Sequence, residues 1–164
     1  MGTTTIRDID RGYAALVARV FDMAKSLPVI KIGVLAGNAE EPHAAPGEAT
    51  SGEPATVLDV AIFNEFGTDT IPERSFLRGW FDESEKGLRD DAGKMMQSVI
   101  HGQRTRDQIL ELLGQRSVGQ IQERIASGIE PDNAPSTIRQ KGSSTPLVDT
   151  GVLRSSITYE VTEG

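Results

Sequence analysis

The sequence has no cysteine and only two histidines, His43 and His101, far apart and without ligand spacing. Disulfide frameworks, zinc ribbons and thiol redox motifs are therefore excluded, and no transition-metal site or cofactor is expected. Long hydrophobic runs are missing as well. No stretch approaches the ~20 apolar residues needed to cross a bilayer, so no membrane association is expected. The opening Met1–Thr5 lacks a basic region followed by an apolar run, so no secretory leader is expected. Ile6 departs from the myristoylation pattern. The expected location is the cytoplasm, or a larger particle assembled there. Basic clusters are absent too. Seventeen Lys and Arg stand against 24 Asp and Glu, a formal charge of −7. A protein that grips DNA needs clustered cations to displace counterions, and this balance repels nucleic acid. A surface that DNA merely passes stays compatible with it.

What is present fits one domain over residues 1–164, a length that buries enough apolar surface without a staple. Ile6, Ile9, Tyr13, Leu16, Val20, Met23 and Leu27 recur every three or four residues and predict a leading amphipathic helix, ended before Pro28. Val29–Leu35 is short, β-branched and bounded by Pro28 and Gly37, which predicts a strand. Residues 37–56 hold four glutamates and no Lys or Arg, and predict a mobile acidic loop. Val57–Phe63 resumes a strand-like pattern, so the loop becomes the tip of an enlarged antiparallel hairpin. Leu77, Phe81, Leu88, Ala92, Met95 and Val99 predict a helix interrupted by Gly87 and Gly93. A break at His101-Gly102-Gln103 separates it from a second helix carrying Ile109 to Ile125, closed by Ser127-Gly128. Residues 133–142 predict one or two helical turns, and Ser156–Val161 alternates as a last strand. The expected fold class is α+β: a small antiparallel sheet, made of the enlarged hairpin plus the C-terminal strand, packed with an N-terminal helix and a central helical segment.

Three groups of residues invite chemistry. Leu147-Val148-Asp149-Thr150-Gly151 carries the Asp-Thr-Gly of aspartic proteases, whose paired carboxylates share a proton. Homodimeric versions supply the second aspartate by symmetry. Only 13 residues follow Gly151 here, too few for the flap and strands such a site needs. The favoured reading is that Asp149 or Thr150 caps a helical turn through Val152-Leu153-Arg154. Asp82, Glu83, Glu85, Asp90 and Asp91 read as a solvated helix face, since acid–base or metal chemistry needs partners that are not nearby. Lastly, Phe63, Phe66, Phe76, Trp80 and Phe81 place five of eight aromatics within 19 residues. They read first as core where sheet meets helix. The functional alternative is that Phe66, Trp80 and the Arg74/Arg78 pair face a neighbouring subunit.

The run Asn64-Glu65-Phe66-Gly67-Thr68, followed by Ile71-Pro72-Glu73-Arg74-Ser75-Phe76-Leu77-Arg78, resembles a block of small morphogenesis proteins of tailed bacteriophages. The stretches Ala134–Ser143 and Pro146–Ile157 resemble the same family's C-terminal block, in the right order and across a helical segment. Ser75 stands where the family often has proline. The resemblance implies a tail-completion, or neck, protein of a long-tailed phage, a non-enzymatic structural subunit located in the virion at the head–tail junction. It implies a homo-oligomeric ring, usually hexameric, through which DNA passes without specific binding. Head-connector or stopper proteins, and tail-terminator or tail-tube proteins, would be its partners. A tail-terminator or head-connector ring is the alternative within this class. Subunit contacts are then expected from Glu65, Phe66, Gly67, Thr68, Arg74, Phe76, Arg78 and Trp80 in the first block. In the second they are expected from Lys141, Asp149, Thr150, Gly151 and Leu153.

Overall fold

The computed structural model describes residues 12–24, 28–42, 55–132 and 151–163. Along these run α1 (Tyr13–Ala24), β1 (Val29–Val34), α2 (Ala36–Ala39) and α3 (Val57–Phe66). They are followed by α4 (Leu77–Ile100), α5 (Arg106–Ser127), α6 (Val152–Ser156) and β2 (Ile157–Thr162). The fold is α+β, with one antiparallel two-stranded sheet among the described residues. In its register Val29 faces Thr162, Lys31 faces Glu160 and Val34 faces Ile157.

The two long helices form an antiparallel pair. The ion pairs Glu83–Arg124 and Asp91–Arg116 link them, and the partner on α5 moves back as the partner on α4 moves forward. The chain reverses at Gly102, whose φ is 71°. Thr105 then starts α5: its hydroxyl accepts from Gln108 N (3.2 Å), and the Gln108 side chain accepts from Thr105 N (3.0 Å). Ile109, Ser117, Ile121 and Ile125 recur at helical spacing and are the inward face of α5. The sheet lies on that helix. Gly114 makes room for Tyr159, since a Cβ there would run into the ring. Gln122 Nε2 donates to Ile157 O (3.5 Å).

The core gathers Val57 and Ala61 of α3, Trp80 of α4, Ile121 and Ile125 of α5, and Leu153 and Ile157, with Phe76 fully enclosed. Burying Phe76 alone contributes roughly 2–3 kcal/mol. Trp80, rather than Phe81, is the inward aromatic of α4. Its indole N–H donates to Gln120 Oε1 (3.2 Å), while Phe81 is exposed.

One predicted element is different. Val57–Phe63 is the greater part of helix α3 and not a strand, so the enlarged hairpin does not form and β2 pairs directly with β1. The cause is local. The Thr56 hydroxyl accepts from Asp59 N (3.1 Å), and Asp59 Oδ2 accepts from Thr56 N (3.0 Å) and from the Thr56 hydroxyl (2.7 Å). This reciprocal cap, together with Val57, Ala61 and Glu65 falling on one buried helical face, outweighs the β-branched composition. The expected acidic loop also has structure at its ends. It begins inside α2, where Ala39 is buried and Asn38 Nδ2 donates to Ser156 O (3.2 Å). It closes where Val57 N donates to Glu41 O (2.9 Å), beside a Pro42–Thr56 bridge. Residues 43–54, the helical turns expected at 133–142, and Ile6, Ile9 and Leu27 of the leading helix lie outside the described residues.

Candidate functional site

The segment from Glu65 to Arg78 is a closed junction between α3 and α4. A helix start leaves several backbone N–H groups without partners, and here a carboxylate from the preceding helix satisfies them. Glu65 Oε2 accepts from Phe76 N and Leu77 N (both 2.9 Å), and Oε1 accepts from Arg78 N (3.0 Å). Ser75 Oγ donates to the same carboxylate (2.7 Å) and accepts from Gly79 N (3.1 Å), so the serine shares the cap. The Arg78 guanidinium completes the arrangement, donating to Glu65 Oε1 (3.1 Å), to the Glu65 carbonyl (2.8 Å) and to Glu73 (2.7 Å).

Glu65 is only 5% exposed. Burial by itself raises a carboxyl pKa. The N–H groups of Leu77 and Arg78, the Ser75 hydroxyl and the Arg78 guanidinium outweigh it and hold Glu65 below the ordinary value. Arg78 is correspondingly raised, chiefly by its bond to Glu65.

Gly67 lets the chain return to deliver these groups. Its φ is 73°, and a Cβ there would stand 2.9 Å from Glu73 N. Thr68 N donates to Ile71 O and Arg74 N to Asn64 O, each at 2.7 Å. Arg74 is buried, and its guanidinium donates to the carbonyls of Pro131 (2.7 Å) and Asp132 (3.2 Å). Desolvation lowers its pKa, partly offset by the Asp132 charge.

Glu65, Arg74, Phe76, Trp80 and Leu153 are thus enclosed within the chain, and Gly67 is taken up by the turn. Phe66, Thr68 and Arg78 reach solvent. Gly151 (φ 73°) is the N-cap of α6 and makes no side-chain cap there, while Lys141, Asp149 and Thr150 lie outside the described residues.

The solvent-facing side of this junction is apolar. Leu58, Ile62 and Phe66 follow one another at one-turn spacing along α3 and are 39%, 44% and 60% exposed, with Phe63 beside them. The Arg78 guanidinium lies 4.7 Å from the centre of the Phe66 ring. A strand over Val57–Phe63 stops short of Phe66 and so separates it from Leu58 and Ile62, which is why the stripe is not visible in the sequence reading. The signal available was Thr56-x-x-Asp59, which marks a helix start and puts residues 58, 62 and 66 on one face.

Elsewhere three of the five carboxylates of α4 are engaged. Glu83 pairs with Arg124 and Glu85 with Arg89, both at 2.6 Å, and Asp91 pairs with Arg116. A cleft of about 330 Å³ at the α4–α5 turn is lined by Arg19, Asp22, Arg104 and Arg106. Arg19 donates to Ile100 O there, and Arg106 pairs with Glu163 and Asp107. Among the described residues no group of three or more His, Asp or Glu is placed to hold a metal, and no helix is long and apolar enough to cross a membrane. Comparison with protein-family models, curated proteins and solved structures finds no match to this chain.

Proposed function

We propose that this chain is a structural subunit of a long-tailed phage virion. It acts at the head–tail junction as a ring-forming tail-completion or neck protein, without catalysis. The observation that supports the reading is the exposed apolar stripe Leu58–Ile62–Phe66 on α3. It lies beside the Arg78–Phe66 stack, in the segment whose residues resemble the phage block. An apolar helix face in water is a cost unless a partner covers it, and aromatic and Arg side chains dominate the energetics of such contacts. The rigid backing supplied by Glu65 and Arg74 holds the stripe in one orientation, as a repeated subunit contact requires. Head-to-tail contacts between copies close into a ring where the rotation permits, a hexamer in this reading. Connector or stopper proteins would sit on one side and tail-terminator or tail-tube proteins on the other. The net charge of −7 would keep passing DNA from adhering to the lumen.

Size-exclusion chromatography with light scattering should find assembled species of the purified chain. Ile62→Asp and Phe66→Asp, both on the exposed face, should abolish assembly while leaving the unfolding transition nearly unchanged. Neither variant should rescue a phage lacking the gene. Normal infectious particles formed without the protein would defeat the proposal.

A further inference from the structure

A sheet of two strands has two open edges. The β1–β2 pair is the whole sheet among the described residues. Among the described residues no backbone bond from outside it reaches either strand, and one side-chain bond does, from Gln122 to Ile157 O. Each strand therefore keeps, among the described residues, an outward row of N–H and C=O groups without a backbone partner, which is a template for another strand. The far end of the sheet is also uncovered, with Val29 48% and Val161 38% exposed. Helix α5 packs against the sheet, so strands added at the edges would extend it beside that helix.

We propose that these edges join copies of this chain, β1 of one against β2 of the next, as one continuous antiparallel sheet. The proposal rests on the ring reading above and names its contact. Charge selects the occupant. Within the chain Lys31 stands opposite Glu160, both exposed. The same register between copies again sets Lys31 against Glu160. Pairing β1 with β1, or β2 with β2, offers no opposite charge to Lys31 or Glu160, and in the register centred on that residue it sets like charges face to face, which is unfavourable. The favoured contact is therefore head-to-tail rather than two-fold. It repeats from copy to copy, as ring closure demands.

Hydrogen exchange on the full-length chain tests this, with assembled and monomeric fractions separated by size. In the assembly, outward amides of both β1 and β2 should exchange at least roughly ten-fold more slowly than in the monomer. Assembly without that protection, or with protection of one strand only, overturns the edge contact and leaves the ring reading standing. A wild-type chain that never assembles overturns both.

Charge exchange supplies the second test. Lys31→Glu and Glu160→Lys should each raise the concentration for half-assembly by roughly ten-fold. An equimolar mixture of the two should recover assembly, because alternating copies restore both contacts between chains while the pair within each chain stays mismatched. Variants that assemble like wild type, or a mixture no better than its components, would overturn the proposal.

Discussion

Helices α3 and α5 cap themselves, each through a threonine and the side chain three residues on. Helix α4 instead starts on a carboxylate contributed by another helix, with Glu65 accepting from Phe76, Leu77 and Arg78 N. The local caps stabilise a helix wherever it happens to lie. The remote one stabilises α4 only when α3 is in place, so it couples the direction of one helix to the start of the next. The orientation of the apolar stripe on α3 is therefore tied to the start of α4 through the buried Glu65, as it is to the core through Val57 and Ala61. A self-capped helix can keep its ends when the tertiary structure loosens; α4 has only the Ser75 hydroxyl, which accepts from Gly79 N, as a local reserve.

Removing the remote cap should have the largest effect. Glu65→Ala leaves the Phe76, Leu77 and Arg78 amides without their acceptor, takes one of three acceptors from the Arg78 guanidinium, and is expected to cost about 3 kcal/mol in chemical denaturation. A loss of 1 kcal/mol or less would put the remote cap on a par with a local one, and the comparison would fail. Gly67→Ala comes next, at about 2 kcal/mol, because it combines a positive φ with the approach to Glu73 N. Its effect should largely disappear when measured in the Glu65→Ala background, since both act on one junction.

Acid should act on the same coupling. The folded pKa of Glu65 lies below its ordinary value of 4.5. The carboxylate's contribution is therefore complete above the unfolded value and is lost as pH falls through the folded one. Asp59, lowered by its bonds to the Thr56 side chain and backbone, contributes with the same sign. The denaturation midpoint of the wild type should fall between about pH 5 and pH 3. Glu65→Gln, which has no charge to lose, should show a shallower decline. Equal slopes would remove Glu65 as the source.

Legibility followed the same division between local and remote. The boundaries of β1, α4, α5 and β2 could be read because period, proline and glycine act within a few residues of the position they govern. Gly102 and Gly128 fall where the sequence predicted helix ends, and both have positive φ. The strand expected at Val57–Phe63 is a helix because the Thr56–Asp59 cap, a signal present in the sequence, outweighs the β-branched composition. The role of Glu65 had no such local signal. Its partners lie 10 to 13 residues on, and nothing in a charged residue ahead of a glycine says that its carboxylate will turn back into a buried junction. The exposed stripe was hidden by the same error, since a strand ending at Phe63 leaves Phe66 outside the element that carries Leu58 and Ile62, whereas one helix through Phe66 holds all three on one face.

The smallest expected effects test the local side of the comparison. Thr56→Ala and Thr105→Ala each remove one hydroxyl acceptor, from Asp59 N and Gln108 N respectively. Each should cost about 1 kcal/mol. The two are not equivalent in surroundings. Thr56 is half-buried beside Pro42 and the start of a core helix, while Thr105 is exposed at the α4–α5 turn. Water can replace the lost acceptor at Thr105 more readily, so its variant should fall at the lower end. Replacement by serine, which keeps the hydroxyl, should recover most of the loss at both positions. Because these caps are self-contained, neither loss should change when combined with Glu65→Ala. Strong coupling of Thr56→Ala to Glu65→Ala would mean that α3 is held as a unit from both ends, and the line between local and remote caps would have to be redrawn there.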